Sequence, residues 1–386
     1  MTRTIVILGA GIGGFPVAHY LVRHTASKSS DVRVVLVSPT DEFYWVFAIP
    51  RAVIPGQMSS DDVSFSIPDS FAQYPASKFE LVLGKADRLL PELNTVVVAL
   101  NDGSKRNIEY HSIIVATGAD DKHKLPWKNL GTSEETRDAL DQLRMSIGDA
   151  QTIVVAGAGP TGVEFVGELG SEYSKHGTKK VILVSSDKLP LDSSVLDSVR
   201  YAAKSQLEKL NVKIIANTKV TATTGTGMDQ VLELTAADGK KQSLRADLLI
   251  PAHGLTYNTG FMPAEMLDKD GRVKQEKTLQ ALGYKNVFAM GDAGNIQDPL
   301  AFFANGHVWH LGRNFERYME TGSMPEHKIN GKTLLGLTLG RDHGTGQFGN
   351  WKIWGTLIWY LKGRHMGLDR SAPYMEGTGN ADGKWN

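Results

Sequence analysis

Two stretches of the chain share one local grammar, and this duplication limits the possible folds more than any other feature. Thr4-Ile5-Val6-Ile7-Leu8 runs into Gly9-Ala10-Gly11-Ile12-Gly13-Gly14, and helical spacing resumes at Ala18, Leu21 and Val22. Thr152-Ile153-Val154-Val155-Ala156 runs into Gly157-Ala158-Gly159-Pro160-Thr161-Gly162, followed by Val163-Glu164-Phe165-Val166. Each reads as strand, tight turn and helix, with glycines in G-x-G-x-x-G register. The first glycine allows the turn, the second lets a pyrophosphate approach the backbone, and the third lets the helix pack on the strand. The helix N-terminus adds unpaired N–H groups and a positive dipole. One such motif is a weak signal; two, each followed by a further strand, are specific for a pair of dinucleotide sites.

Those further strands are Val32–Ser38 and 180–185. Dinucleotide sites usually carry an acid at this strand end for a ribose hydroxyl. Here the residues are Ser38 and Ser185, so any hydrogen bond to the ribose lacks charge assistance. In the second unit Lys188 suits a 2′-phosphate while Asp187 argues against one. The expected donor is therefore NADPH or NADH, with Lys188 alternatively a solvated charge.

Asp41-Glu42-Phe43-Tyr44-Trp45-Val46-Phe47-Ala48-Ile49-Pro50-Arg51 is aromatic for a loop. It reads either as a lining for a flat ring system, with Arg51 near phosphate or ring oxygens, or as an aromatic cluster over the core. Alternation over 79–100 and the turn Asn101-Asp102-Gly103-Ser104 predict antiparallel strands. A buried strand ends at Ala116-Thr117-Gly118, and a similar one at Ala252-His253-Gly254. The spacing of Leu196, Val199, Ala203, Leu207 and Leu210 predicts a helix over 196–210. Thr223–Gly227 and Asp238-Gly239 read as hairpin tips. A last buried strand ends at Gly291-Asp292.

The composition excludes several functions. Lys+Arg and Asp+Glu are equal at 42 each, so nothing indicates a nucleic-acid partner. There is no cysteine, which removes dithiol chemistry, disulfides and thiolate metal ligands. His307 and His310 lack a third ligand and read as a structural pair, so no metal is expected. No apolar run reaches the ~18–20 residues of a membrane span. The first strand starts at once, so no signal or transit peptide is expected, and Thr2 stands where myristoylation needs glycine. The expected location is cytoplasmic, with peripheral membrane contact as the alternative.

In this order, Gly9–Gly14, Ala116-Thr117-Gly118, Gly157–Glu164 and Gly291-Asp292 resemble the two-dinucleotide-binding-domain flavoproteins. The tail, Gly340-Arg341-Asp342 with Gly346-Gln347 and then Leu361-Lys362-Gly363-Arg364, resembles the apoptosis-inducing-factor-like, mitochondrion-associated oxidoreductases, which include the ferroptosis suppressor. The resemblance spans residues 3–366 in scattered motifs and takes in Phe43, Ala304 and His307. It implies an α/β fold with two Rossmann-like domains, an FAD domain interrupted by an NAD(P)H domain, and a small C-terminal α+β region. The implied boundaries are 1–120 and 255–325 for the FAD domain, 121–254 for the NAD(P)H domain, and 326–386 for the tail region.

The family reduces quinones with NAD(P)H through noncovalent FAD. By resemblance, Asp292 holds the flavin's ribityl chain or phosphate, and Thr117-Gly118 passes close to FAD. Ala86, Ala301 and Phe302 join Gly9, Gly11, Gly13, Gly14, Ser38, Arg51 and Gly291 at that cofactor. Gly157, Gly159, Gly162, Ser185, Lys188 and Gly254 fall to the nucleotide. Glu164 contacts the nicotinamide end, or else only complements its helix N-terminus. Lys362 lies near the flavin, or is a solvated charge. The implied acceptor is a quinone or a similar flat molecule. A type II NADH dehydrogenase, an oxidoreductase of small metabolites and an NAD(P)H sensor with little turnover remain alternatives, since function lives in the acceptor site. Trp351, Trp354, Ile358 and Leu361 predict an amphipathic helix that either closes the acceptor pocket or lies on a membrane surface. The oligomeric state is left open.

Overall fold

The computed structural model describes residues 2–298, 300–380 and 383–384, with backbone alone at 301–303, 380, 383 and 384. Two sheets with the same internal order organise it. In the first, Phe79–Leu90, Val32–Ser38, Arg3–Leu8, Ser112–Val115 and Val287–Ala289 lie side by side and parallel. Thr95–Leu100 and Lys105–Glu109 extend it as antiparallel strands beyond Phe79–Leu90. In the second, Lys213–Ile215, Lys180–Val184, Thr152–Ala156 and Leu248–Pro251 repeat the parallel order. Ile5–Leu8 and Ile153–Ala156 are buried, as strands covered on both faces should be.

Both glycine turns solve the same steric problem. Gly9 has φ +101° and Gly157 has φ +119°. A Cβ on Gly9 would sit 2.5 Å from the Ala116 carbonyl oxygen, and one on Gly157 2.6 Å from that of Ala252. The strand-to-helix turn in each unit therefore lies directly on the backbone of the neighbouring strand end. Gly14 and Gly162 face the same limit one helical turn on, where a Cβ would meet the carbonyl of Gly9 at 1.9 Å and of Gly157 at 2.0 Å.

The predicted helix at 196–210 forms as Asp197–Lys209. The first predicted hairpin tip is displaced: strands Thr218–Thr226 and Asp229–Ala236 leave only Gly227 and Met228 to turn. The tail departs further. Leu334–Thr338, Gly344–Phe348 and Trp351–Ile353 form a three-stranded antiparallel sheet. Helix Gly355–Ile358 follows and continues as a π-helical turn, Trp359–Gly363. Trp351 thus sits in a strand, because Gly349 turns the chain at φ +56° and lets Trp351 pair with Phe348. Ladder hydrogen bonds outweigh the helical spacing of the apolar residues.

This C-terminal sheet packs on the second glycine-rich helix, Pro160–Glu172. Gly167 makes the approach possible, since a Cβ there would lie 2.6 Å from the Gly340 amide nitrogen. Backbone cannot swing aside as a flexible side chain can. Gly167→Ala is expected to destabilise the protein by about 1–3 kcal/mol through overpacking. Urea denaturation of holoprotein checks this, and an unchanged midpoint would contradict the packing.

Candidate functional site

At the carboxyl edge of the first sheet the chain leaves a cavity of about 500 Å³. It lies where the strand order reverses on either side of Arg3–Leu8, the place where open α/β sheets bind ligands. Its walls include Gly9–Gly13, Ser38, Ala86, Thr117, Gly118, Gly291 and Asp292. The first sheet thus brings together sequence-predicted residues spread over more than 280 positions.

Several local features fit a bound dinucleotide. A Cβ on Gly11 would meet nothing within 4 Å, and the same holds for Gly159. The two middle glycines therefore face open space, where a pyrophosphate can reach the backbone. Helix Gly14–His24 begins without a side-chain cap or a first-turn acid, and so does Pro160–Glu172. Helix Ser133–Asp149, by contrast, carries a complete capping box through Thr132 and Glu135 and two acids in its first turn. The glycine-rich helices leave their positive ends to an anion. In the cavity wall, the buried hydroxyl of Thr117 has no hydrogen-bond partner among the described residues. Such a group calls for a ligand or ordered water. These residues fit FAD.

Asp292 is held at 2.8 Å by the ammonium of Lys128, which also walls the cavity. The Gly291–Asp292 turn is set from behind. The Gly291 amide donates to His307 Nδ1 at 3.0 Å, which leaves the proton on Nε2 to donate to Gln297 Oε1 at 3.1 Å. Burial, then the neighbouring His327, push the His307 imidazole down to about 3, so it is neutral and free to accept. Its two ring nitrogens are committed to holding this turn. Sequence reasoning missed Lys128 and Asn258, whose side-chain amide donates to the Thr117 carbonyl at 3.2 Å and to Asp120 at 2.7 Å. Both lie in loops without periodicity, and no local signal marks them.

Ser38 lines the cavity, but its oxygen already accepts from the Thr40 amide at 3.3 Å. Ser185 does the same for Asp187, at 3.3 Å, and donates to the Asp187 carbonyl at 3.0 Å. Each serine stabilises its own turn in place of an acid. Lys188 is exposed, and Gly254 turns at φ +88° beside the Lys122 side chain. The side chains of Ala301 and Phe302 lie outside the described residues.

Arg51 requires a correction. It does not wall the cavity; its guanidinium is buried against Glu168, with contacts of 3.1 and 2.8 Å, and donates to the Gly363 carbonyl at 2.9 Å. A buried carboxylate attracts it more strongly than an open, solvated site would. The aromatic loop divides between its two readings. Phe43 and Trp45 are core, Trp45 donating to the Met366 carbonyl at 3.1 Å, whereas Tyr44 and Val46 line the cavity.

Glu164 and Lys362, 198 residues apart, meet at 2.6 Å. The same Glu164 oxygen accepts from the Thr338 amide at 2.9 Å and hydroxyl at 3.1 Å. Glu164 stands in the second turn of its helix and is only 7% exposed, so it does not act as a first-turn charge. Neither residue is in the wall of the large cavity.

A family profile described as "Pyridine nucleotide-disulphide oxidoreductase" matches residues 3–306. The chain is 36% identical to "Oxidoreductase ptaL" of Pestalotiopsis fici, over 92% of this chain and 94% of that protein. It is 28% identical to ferroptosis suppressor protein 1 of Taeniopygia guttata, over 95% and 94% respectively. The structure of NDH2 from Plasmodium falciparum in complex with NADH has a TM-score of 0.77 at 15% identity, covering 94% of each chain, a likeness of fold.

Gly11→Ala separates folding from ligand binding. The added methyl meets nothing in the flavin-free chain, so its denaturation midpoint should match wild type, while FAD affinity should fall about tenfold or more as the phosphate cradle fills. Fluorescence titration of apoprotein with FAD checks this, and unchanged affinity would remove Gly11 from the site.

Proposed function

The chain belongs to the pyridine nucleotide-disulphide oxidoreductase family, and on that premise we propose that it transfers electrons from NADH or NADPH, through FAD held in the first unit, to a quinone or similar flat acceptor. The observation that carries this reading is the pair of uncapped, open glycine cradles on two sheets of the same order. FAD, when bound, accepts hydride from the nicotinamide and passes the electrons on singly or in pairs. The chain itself binds and orients. Gly11 and the bare helix end of Gly14–His24 hold the FAD phosphates. Asp292, steadied by Lys128 and by the Gly291–His307 hydrogen bond, holds the ribityl side. Gly159 and the Pro160–Glu172 N-terminus hold the pyridine nucleotide, and Ser185 with Lys188 admits either form of it.

The family's disulphide chemistry is closed to this chain, because it has no cysteine. Electrons must leave to an external acceptor. Lys362 and Glu164 join the C-terminal segment to the nucleotide helix, and on this reading that ion pair positions the segment the acceptor passes. A second reading, oxidation or reduction of a small metabolite, draws on the higher identity to an oxidoreductase whose name specifies no quinone.

A steady-state screen of quinones and other acceptors with NADH and NADPH tests the proposal. Rapid quinone-dependent oxidation of the nucleotide is expected. Turnover with a small metabolite but no quinone would favour the second reading. Lys362→Met should lower kcat about tenfold or more while FAD content stays at wild-type level, because it strips the cation from the buried carboxylate that holds the C-terminal segment on the nucleotide helix. Unchanged kcat would remove Lys362 from the machinery.

A further inference from the structure

The C-terminal segment buries one face and leaves another bare. Ile358 is buried in the small sheet, against positions kept open by Gly336, Gly344 and Gly346. Trp359 is tied down as well, its indole N–H donating to the Arg341 carbonyl at 2.7 Å. The opposite side presents Trp354, 79% exposed, then Leu357, Tyr360 and Leu361 at the spacing of one helical face. Trp351, 78% exposed, and its strand partner Phe348 continue the apolar surface onto the hairpin. Two tryptophans so fully exposed on ordered elements are not leftover core, and a clustered apolar surface of this kind marks a docking site.

Its charge identifies the occupant. Between 331 and 366 the chain carries Lys332, Arg341, Lys352, Lys362 and Arg364 against one acid, Asp342, in a chain whose cations and acids balance overall at 42 each. Arg341 and Lys362 are neutralised by Glu172 and Glu164. Lys332 lies over the Phe348 ring at 5.2 Å and Arg364 over the Tyr360 ring at 4.2 Å, while Lys352 is exposed between the two tryptophans in sequence. Indole and phenol rings rimmed by cations favour the headgroup layer of a bilayer, where the rings bury their apolar bodies and the cations meet anionic headgroups. Among the described residues no helix is long and apolar enough to cross a membrane, so contact would be made at the surface.

We propose that the face formed by Phe348, Trp351, Trp354, Leu357, Tyr360 and Leu361 docks the protein on an anionic phospholipid surface. Tyr360 and Leu361 of this face lie on the π-helical turn whose Lys362 reaches Glu164 and whose Gly363 carbonyl receives Arg51. A docked surface therefore sits against the segment that closes on the nucleotide helix, and a lipid-dissolved acceptor approaches from that side. The proposal deepens the quinone reading, but docking itself requires no turnover.

Holoprotein is spun with phosphatidylcholine vesicles that either contain or lack phosphatidylserine, with no acceptor present. Binding is expected with phosphatidylserine, weakening as salt rises. Trp351→Ala with Trp354→Ala should reduce the bound fraction about tenfold by removing interfacial aromatic area. Lys352→Glu with Arg364→Glu should abolish the dependence on phosphatidylserine. Both double variants should keep wild-type FAD content and wild-type reduction by NADH in solution, which shows that they fold. Failure of the wild type to sediment, or equal sedimentation of the tryptophan variant, would overturn the proposal. So would a concentration-dependent dimer in solution that the tryptophan variant abolishes, since the face would then belong to a second copy. Because vesicle binding is read without acceptor, failure here leaves the quinone screen to stand or fall independently.

Discussion

Two carboxylates one turn apart on a single helix tie the structure together. Glu164 and Glu168 both lie in Pro160–Glu172, and both are buried. A buried carboxylate without a cation is costly, and breaking such a pair from one side costs about 3–5 kcal/mol. Their cations come from opposite ends of the chain. Arg51 arrives from the first unit and makes a two-pronged contact with Glu168, and Lys362 arrives from the C-terminal segment to meet Glu164. Arg51 also donates to Gly363, the residue after Lys362. First unit, nucleotide helix and tail are thereby registered at one place. The π-helical turn at Trp359–Gly363 fits this arrangement: its wider winding leaves irregular backbone, as at many functional positions, and one of its carbonyls is taken by the arginine.

The same economy governs the two ligand cradles. Helix Ser133–Asp149 satisfies its own first turn with a capping box. The two glycine-rich helices do not, and their second-strand serines turn inward to hold local backbone. In the first unit the positive helix end, the open Gly11 and the Thr117 hydroxyl, which has no partner among the described residues, meet at the edge where a phosphate-bearing cofactor belongs. In a chain without cysteine, chemistry at such a site falls to the bound cofactors and to the side chains that orient them.

Much of this was legible in the sequence because it is local. The strand–glycine–helix units, the small turn at Ala116-Thr117-Gly118 and the Gly291–Asp292 strand end each follow from neighbouring residues, and the first sheet gathers the first unit, that turn and that strand end at one cavity. Arg51 was misread for the complementary reason. An arginine after an aromatic run looks available to a ligand, and nothing nearby in sequence reveals a buried carboxylate 117 residues on. Lys128 and Asn258 are loop residues whose importance comes from what folding brings beside them, Asp292 and Thr117. In the tail, apolar spacing suggested one helix, but Gly349 allowed a hairpin and strand pairing decided the outcome. Glu164 and Lys362 were singled out through a family resemblance; their contact, across 198 residues, only the fold discloses.

The account rests on a division of labour between the two cradles: flavin in the first, pyridine nucleotide in the second. Anaerobic rapid mixing of purified Gly159→Val protein with NADH or NADPH tests it directly. The branched side chain would occupy the open space beside Gly159 and leave the first cradle intact. The account predicts a protein that keeps its FAD absorption spectrum but whose flavin is bleached by nucleotide at least about a hundredfold more slowly than wild type. Loss of FAD with nucleotide binding intact, or bleaching at the wild-type rate, would contradict it.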